Sequence, residues 1–261
     1  MIIDGRAMAQ DILGKVHAAV DAFDAPLMMR AITVSPTPAT QSYLKAKARA
    51  AETAGIQFEV IEFADDATTE DVIEAVQRPG ANAVIVQLPL PSSIDTETVL
   101  VAIPANADAD ALSPAARASG VPVPPVAAAV EEILLQSGVT VAGKSAIVIG
   151  TGRLVGEPVA RRLAALGTHV RSYDITTFTS DVLRDADIIV SGAGSPHMVT
   201  LDMVKERVVL IDAGTSEANG AIAGDIDPAC AEKASVYTPV PGGVGPVTVA
   251  CLMRNLVTLA G

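Results

Sequence analysis

Hydrophobic and polar positions follow alternating helical and strand periods along the whole chain. The N-terminal part contains two predicted helices and three predicted strands, over 5–20, 30–34, 39–54, 56–62 and 83–88. Gly55 is a typical signal for the end of a helix, and Thr68 or Thr69 can cap a further helix that runs through Val76. Helices that alternate with strands predict an α/β fold.

The pattern changes over residues 104–125, which contain five prolines and few large apolar residues. This stretch is typical of a connection and not of a core, and we place a domain boundary near residue 120. A second series of helices and strands follows, ending in a final helix, over 145–150, 156–166, 168–173, 180–186, 187–191, 207–212 and 246–259.

Composition narrows the class of protein. Half of the residues are hydrophobic and only 3% are aromatic, so the core must consist of Ala, Val, Ile and Leu, which suits buried parallel strands. The net charge of −12 argues against affinity for nucleic acid or for an anionic membrane.

The N-terminus does not resemble a signal peptide, and no apolar stretch is long enough to span a bilayer. We expect a cytoplasmic protein without a metal site, in which Cys230 and Cys251 stay reduced.

A glycine-rich turn follows the first strand of the second series. Residues 146–158 read AIVIGTGRLVGEP, in which Gly150, Gly152 and Gly156 precede a helix with Pro158 in its first turn. The spacing is one residue longer than the usual dinucleotide-binding pattern G-x-G-x-x-G. Glycines let the backbone approach a pyrophosphate closely, and the helix N-terminus supplies N–H donors and positive potential.

Two further features support a nucleotide site over a purely structural turn. Asp174 ends the next strand, 24 positions after Gly150, where an acid commonly accepts hydrogen bonds from ribose hydroxyls. A second glycine-rich strand end, IIVSGAGSPH over 188–197, should approach the same crevice. The candidate cofactor-binding residues are Gly150, Thr151, Gly152, Arg153, Asp174, Gly192, Ala193, Gly194 and Thr215.

The N-terminal part carries a set of polar residues in a predominantly apolar context. Tyr43 and Lys47 are four residues apart and therefore lie on one helix face. Gln87 stands at the end of a buried strand, where an amide needs hydrogen-bond partners. Asp108 and Asp110 follow in the sequence NADADAL. Taken singly, these residues fit a surface lysine, a capping amide and a solvated turn.

Taken in order, the motifs resemble one family. Tyr-x-x-x-Lys, VQLPLP, Asp-x-Asp, the glycine turn and TPVPGGVGP over 238–246 are similar to the bifunctional methylenetetrahydrofolate dehydrogenase/methenyltetrahydrofolate cyclohydrolases, and the resemblance covers nearly the whole chain. It implies oxidation of 5,10-methylenetetrahydrofolate with NAD(P), then hydrolysis to 10-formyltetrahydrofolate. It also implies a homodimer and two αβ domains with a cleft between them. Residues 1–120, completed by the helix 246–261, would bind folate, and residues 121–245 would form a Rossmann-type doubly wound parallel sheet that binds NAD(P).

The resemblance also implies roles for single residues. Lys47 matches the family's catalytic lysine, which assists attack by water and proton transfer, and Gln87 matches the glutamine that hydrogen-bonds this lysine. Asp110 matches the aspartate that grips the pterin, and Tyr43 matches the aromatic residue that stacks on the folate ring system. Pro241, Gly242 and Gly243 match the loop at which the backbone approaches substrate.

The chain departs from the family in several places. The usual Lys-Asp-Val-Asp-Gly is Ala-Asp-Ala-Asp-Ala over 107–111, and Pro-Cys-Thr-Pro is Pro-Val-Pro-Pro over 122–125. Gly-Arg-Ser becomes Gly-Thr-Gly over 150–152, and a common histidine is Asp174. The family default is NADP, whereas an acid at Asp174 repels the extra phosphate and favours NAD, unless Arg153 or Arg171 compensates. Two alternatives stay open: a dehydrogenase with a weakened cyclohydrolase step, and a non-catalytic binding protein.

Overall fold

A computed structural model describes residues 1–218 and 221–261 of the chain. The helices are α1 Gly5–Val20, α2 Pro38–Thr53, α3 Thr69–Gln77, α4 Thr96–Ala102, α5 Pro114–Ser119, α6 Pro125–Gln136, α7 Gly156–Ala165 and α8 Val244–Ala260. The strands are β1 Met28–Val34, β2 Gln57–Phe63, β3 Ala83–Val86, β4 Ser145–Ile149, β5 His169–Tyr173, β6 Ile188–Ser191, β7 Val209–Asp212, β8 Ser216–Ala218, β9 Ala221–Ala223 and β10 Val236–Tyr237.

The chain divides into two compact units, each formed from two segments. Gln10–Pro125 groups with Val249–Gly261, here called the N-terminal unit, and Met1–Ala9 groups with Val126–Thr248, here called the C-terminal unit. Nothing in the sequence pattern indicates that the first residues group with Val126–Thr248. Backbone hydrogen bonds explain it, because the N–H of Tyr237 donates to the carbonyl of Met1 at 2.9 Å, and that of Ile3 donates to the carbonyl of Tyr237 at 2.9 Å.

The N-terminal unit contains a three-stranded parallel sheet in the order β2-β1-β3. The central strand β1 is buried from Met29 to Val34. The predicted caps form as expected: Gly55 adopts a positive φ of 71° after α2. Thr68 caps α3 through a reciprocal pair of hydrogen bonds with Asp71. These local signals fix where α2 ends and where α3 begins.

The C-terminal unit contains a five-stranded parallel sheet in the order β10-β7-β6-β4-β5. Strands β6 and β7 are buried along their whole lengths, as is β4 after its first residue. From β4 the chain passes to β5 on one side and then to β6 on the other side. The order of the strands therefore reverses at β4, and in open α/β sheets ligands bind at the carboxyl ends of strands at such a reversal.

Two expectations from the sequence are wrong. The helix predicted over 180–186 is a short 3-10 helix, Ser180–Leu183, and similar single turns form at Leu201–Met203 and Pro228–Glu232. Residues 104–125 are not merely a connection, because this stretch contains α5 and buried side chains at Ala109, Ala111 and Leu112. The reason is that the stretch runs beside β3, where the N–H of Val84 donates to the carbonyl of Ala107.

Candidate active site

Lys47 and Gln87 meet in the N-terminal unit. The Nζ atom of Lys47 on α2 donates a hydrogen bond to Oε1 of Gln87 at 2.9 Å. Gln87 follows β3, and its N–H donates to the carbonyl of Ile32 at 2.8 Å, which fixes its backbone beside β1. Its side-chain Nε2 donates to the carbonyl of Leu88 at 3.1 Å, so the amide oxygen faces the lysine. The structure thus joins a cation and an oriented amide that the sequence separates by 40 positions.

Asp110 lies in the electrostatic field of this lysine. Burial raises the pKa of the Asp110 carboxyl above its ordinary value, the positive charge of Lys47 lowers it, and the negative charge of Asp108 raises it further. Ala111, which stands where the family usually has glycine, adopts a left-handed φ of 54°, and its N–H donates to the carbonyl of Asp108 at 3.2 Å. The altered Ala-Asp-Ala-Asp-Ala sequence therefore still forms a tight turn around Asp110.

Asp108 is completely buried, which the solvated-turn interpretation of the sequence did not expect. Its Oδ2 atom accepts a hydrogen bond from the N–H of Ser113 at 2.6 Å, while Oδ1 has no hydrogen-bond partner among the residues that the structure describes. Asn255 on α8 supports the same turn, because its Nδ2 donates to the carbonyls of Ala109 and Val123, each at 2.9 Å. The sequence analysis missed Asn255, whose signal is a single amide in an apolar helix.

Tyr43 lies on α2 one turn before Lys47, with 46% of its surface exposed. Because residues four apart are neighbours on a helix surface, its ring lies on the same helix face as the lysine. An exposed aromatic ring beside a partly buried cation is suited to contact a planar ligand. Stacking of Tyr43 on a folate ring stays a prediction.

The loop Pro241–Gly243 belongs to the C-terminal unit, where Gly242 provides a positive φ and Gly243 allows close packing. The N–H of Gly5 donates to the carbonyl of Gly242 at 2.9 Å, and Gly242 has a positive φ of 106°. A Cβ atom on Gly243 would lie 2.5 Å from the carbonyl oxygen of Pro239, which is too close for any side chain. Part of the requirement for glycine in this loop is therefore structural, and contact with substrate stays a prediction.

The glycine turn after β4 packs closely against the start of α7. Gly150 has a positive φ of 100°, and a Cβ atom on Gly156 would lie 1.9 Å from the carbonyl oxygen of Gly150. A Cβ atom on Gly152 would meet nothing within 4 Å, so this residue borders open space. Val155 gives the N-terminus of α7 no side-chain cap. The N–H of Glu157 in the first turn of α7 donates to the carbonyl of Gly152 at 3.1 Å. The turn therefore combines close backbone packing with a helix start that lacks a side-chain cap, and binding of a dinucleotide pyrophosphate there stays a prediction.

Asp174 lies at the end of β5 and bonds to the same turn. Its Oδ1 atom accepts hydrogen bonds from the N–H and the hydroxyl of Thr176, at 3.0 and 2.9 Å, and Oδ2 accepts one from the hydroxyl of Thr151 at 3.4 Å. The bonds from Thr176, with a smaller effect of Thr151, hold the pKa of Asp174 below its ordinary value. An ionised carboxylate thus lies next to the predicted cofactor turn.

The second glycine-rich strand end follows β6 in the same sheet. The N–H groups of Ala193 and Gly194 donate to the carboxylate of Asp225, at 2.8 and 3.2 Å. These N–H groups already have a hydrogen-bond acceptor, and the N–H of Gly192 donates to the carbonyl of Ile149. Any contact of Gly192, Ala193 or Gly194 with a cofactor must therefore use other atoms. Thr215 follows β7 and is exposed. The sequence analysis missed Asp225, which lies more than 30 positions from the N–H groups that it binds.

Two classes of feature are absent from the described ranges 1–218 and 221–261. None of the helices there has both the length and the apolar character needed to cross a membrane. The same residues do not place three His, Cys, Asp or Glu side chains together as a metal site would require.

Comparisons with known proteins agree with this geometry. Residues 3–110 match the family model "Tetrahydrofolate dehydrogenase/cyclohydrolase, catalytic domain", and residues 124–261 match "Tetrahydrofolate dehydrogenase/cyclohydrolase, NAD(P)-binding domain". The chain is 35% identical to the Bifunctional protein FolD of Methanospirillum hungatei over 100% of this chain and 97% of that protein.

Two solved structures are similar over the whole chain. One is the bifunctional enzyme FolD-methylenetetrahydrofolate dehydrogenase/cyclohydrolase of Campylobacter jejuni, with a TM-score of 0.95 and 31% identity over 100% of this chain and 98% of that one. The other is the N5,N10-methylenetetrahydrofolate dehydrogenase-cyclohydrolase of Trypanosoma brucei, complexed with NADP cofactor and inhibitor, with a TM-score of 0.94 and 32% identity over 100% and 97% of the two chains. The predicted α/β architecture, with a Rossmann-type parallel sheet in the C-terminal unit, is confirmed. Because both family models match and the relatives align from end to end, the chain belongs to the tetrahydrofolate dehydrogenase/cyclohydrolase family.

Proposed function

We propose that this chain catalyses two successive reactions of folate one-carbon metabolism. The first oxidises 5,10-methylenetetrahydrofolate to 5,10-methenyltetrahydrofolate with NAD(P), and the second hydrolyses the methenyl product to 10-formyltetrahydrofolate. The observation that carries the proposal is the 2.9 Å hydrogen bond from Nζ of Lys47 to Oε1 of Gln87, with Asp110 in the field of the same lysine. Family membership supplies the substrate class.

The protein groups have separate roles in this chemistry. A bound nicotinamide supplies the hydride acceptor of the oxidation, and Gly150, Thr151, Gly152, Arg153 and Thr215 are the residues that would hold the dinucleotide. Lys47 assists the addition of water to the methenyl carbon and the proton transfers that follow, while Gln87 orients its Nζ atom. A preoriented general acid or base of this kind contributes on the order of a hundred-fold or more to a rate.

The folate is held by Asp110 and Tyr43 in our proposal. A carboxylate accepts hydrogen bonds from two adjacent N–H groups, which the amino-pyrimidinone edge of a pterin offers. The partly buried position of Asp110 strengthens such bonds because less water competes for them. Tyr43 presents an exposed ring to the aromatic part of the substrate. Pro241, Gly242 and Gly243 would contact substrate through their backbone.

We propose NAD as the preferred cofactor. The carboxylate of Asp174 is kept ionised by its hydrogen bonds from Thr176, and it bonds to Thr151 in the cofactor turn. Such a group accepts hydrogen bonds from ribose hydroxyls and repels the additional phosphate of NADP. The Trypanosoma brucei relative was solved with NADP, so this preference would distinguish the two proteins.

We also propose a cytoplasmic homodimer that associates through the C-terminal unit. Strand β5 is the edge strand of the five-stranded sheet, and most of its residues are at least partly exposed. An open edge strand is a common place for association with another copy of a chain. Sedimentation equilibrium of the purified protein would test this, and a monomer at micromolar concentration would contradict it.

A bifunctional enzyme, a dehydrogenase with a weakened cyclohydrolase step and a non-catalytic binding protein predict different results in one assay. Purified protein is mixed with 5,10-methylenetetrahydrofolate and either NAD or NADP, and reduced nicotinamide and methenyl product are followed separately. Nicotinamide reduction with little methenyl product supports both activities. Accumulation of methenyl product indicates a dehydrogenase with a weak second step. No reduction with either cofactor contradicts the proposed function and leaves a binding protein.

A further inference from the structure

The carboxylate of Asp225 is completely buried in the C-terminal unit and accepts four hydrogen bonds from one short segment. Its Oδ2 atom accepts from the hydroxyl of Ser191 at 2.7 Å and from the N–H groups of Ala193 and Gly194 at 2.8 and 3.2 Å. Its Oδ1 atom accepts from the N–H of Ser195 at 2.7 Å. One carboxylate therefore fixes the chain where it leaves β6, at the carboxyl end of the sheet.

The segment that Asp225 holds packs directly on the cofactor turn. A Cβ atom on Gly150 would lie 2.6 Å from the carbonyl oxygen of Gly192. A Cβ atom on Gly192 would lie 2.3 Å from Cγ1 of Val155. The absence of space even for a Cβ atom shows that the two backbones are packed together, so the segment cannot shift far without displacing the turn. The conformation of the residues after β6 therefore limits the conformation of the turn after β4.

A second buried carboxylate holds Asp225 in place. The Oδ1 atom of Asp212 accepts from the N–H of Asp225 at 3.2 Å, and its Oδ2 atom accepts from the N–H of Ile226 at 2.8 Å. Two glycines make this arrangement possible, since a Cβ atom on Gly214 would lie 2.2 Å from the carboxyl carbon of Asp225, and one on Gly224 would lie 2.2 Å from Oδ2 of Asp212. The ends of β6 and β7 are thus connected through two carboxylates.

We propose that Asp225 is a positioning residue for nicotinamide dinucleotide binding, acting through the segment 191–195 on the turn 150–155. The proposal rests on the proposed function, because it takes this turn as the cofactor site. Buried charge-assisted hydrogen bonds are strong and directional, so they suit a group that must hold backbone in one conformation. Without the carboxylate, three partly buried N–H groups lose their acceptor and the segment rearranges to find new ones.

The two reactions of the family separate this role from a general loss of stability. Hydrolysis of methenyltetrahydrofolate consumes water and no nicotinamide, so it reports the integrity of the fold without the cofactor. In Asp225→Asn the amide keeps an oxygen for Ser191, Ala193 and Gly194, but its NH2 group then faces the N–H of Ser195. We expect the KM for the nicotinamide cofactor to rise about ten-fold, with kcat and cyclohydrolase activity within about three-fold of the wild type.

Two further variants complete the test. Ser191→Ala removes one of the four donors, and we expect a rise in the cofactor KM of about two-fold to three-fold. Asp227→Asn is the matched control, because Asp227 lies two positions away and its carboxylate accepts from the N–H of Ala229 outside the segment. It should leave the cofactor KM unchanged.

Each outcome bears on the proposal. An unchanged cofactor KM in Asp225→Asn, or equal loss of both activities, overturns it. If Asp225→Asn does not fold, Ser191→Ala decides, and an unchanged KM there overturns it. If the wild type does not reduce nicotinamide, the proposed function fails separately. The dissociation constant of NADH, measured by its fluorescence, then decides: equal values for wild type and variant overturn the positioning role.

Discussion

The Nζ atom of Lys47 donates a hydrogen bond of 2.9 Å to the side-chain oxygen of Gln87, and the other end of that amide donates to the carbonyl of Leu88. The second bond helps to decide which end of the amide faces the lysine, because a flipped amide would place its oxygen against the carbonyl oxygen of Leu88 and its NH2 group against the lysine. The lysine side chain is thereby oriented by the amide, and a group oriented in advance loses less conformational freedom when a ligand binds.

Replacement of Lys47 by methionine should abolish the cyclohydrolase step. The substitution keeps an unbranched side chain and removes the amine, so we expect the rate of methenyltetrahydrofolate hydrolysis to fall at least about a hundred-fold. The decay of methenyl absorbance, without nicotinamide, measures it. Lys45→Met is the matched control, because Lys45 lies on the same helix and is exposed. Hydrolysis at the wild-type rate in Lys47→Met would show that the amine has no part in this step.

Replacement of Asp174 by serine should shift the cofactor preference toward NADP. The carboxylate of Asp174 repels the additional phosphate of NADP, and solvent and salt screening weaken this repulsion without abolishing it. We therefore expect the ratio of kcat/KM for NADP to that for NAD to rise about ten-fold or more. Initial rates with both cofactors give this ratio directly.

Asp181→Ser is the control for Asp174→Ser. Asp181 is an exposed aspartate of the same unit, and its carboxylate pairs with Arg184 at the surface. The Asp181→Ser substitution removes one negative charge, as Asp174→Ser does, but at a different place. A general electrostatic effect on cofactor preference would therefore appear in both variants. A cofactor ratio that changes equally in the two variants would contradict a specific role of Asp174.

Local chemistry explains which parts of the fold the sequence predicts well. Thr68 caps α3 through bonds to Asp71, three residues away, and such short-range signals are visible in the chain. Asp225 binds N–H groups after another strand, so nothing near it in the chain reveals its partners. Asp108 is polar and follows prolines, which favours a solvated turn, but its backbone runs beside β3 and buries it. Only the tertiary arrangement shows either carboxylate to be buried.

The left-handed conformation of Ala111 predicts that glycine and a β-branched residue at this position have very different effects on stability. Its φ of 54° costs alanine about 1 kcal/mol, whereas glycine adopts it freely but loses about as much through the entropy of the unfolded chain. Ala111→Gly should therefore change the free energy of unfolding by less than about 1 kcal/mol and leave both activities intact. Urea unfolding and the coupled assay measure these two effects.

A β-branched residue at the same position should behave differently. Ala111→Val places a branched side chain in a conformation that such residues avoid, at a site that is 2% exposed. We expect a loss of about 2 kcal/mol or more in the free energy of unfolding, from backbone strain and overpacking together. Ala105→Val, at an exposed position of the same segment, is the control. Equal stability of Ala111→Val and the wild type would contradict the assigned turn.

Asp212 should make the stability of the protein fall as pH rises toward neutrality. Burial raises its pKa to about 7 from an ordinary 3.8, against the opposing effect of backbone N–H groups from Ile226, Asp225 and Gly214. At pH values between these two pKa values, the carboxyl is protonated in the folded state and ionised in the unfolded state. The free energy of unfolding therefore decreases as pH rises across that window. From pH 5.5 to 8 this carboxyl should cost about 2 kcal/mol of the free energy of unfolding.

The comparison with Asp212→Asn isolates the contribution of this one carboxyl to the pH dependence of stability. The variant keeps an acceptor oxygen for Gly214 and Asp225 but cannot ionise, so its unfolding free energy should be lower at pH 5.5 and should change less between pH 5.5 and 8. Urea titrations at half-unit steps of pH give both curves. Parallel curves for the two proteins would mean that Asp212 does not titrate in this window, and that its N–H donors outweigh burial.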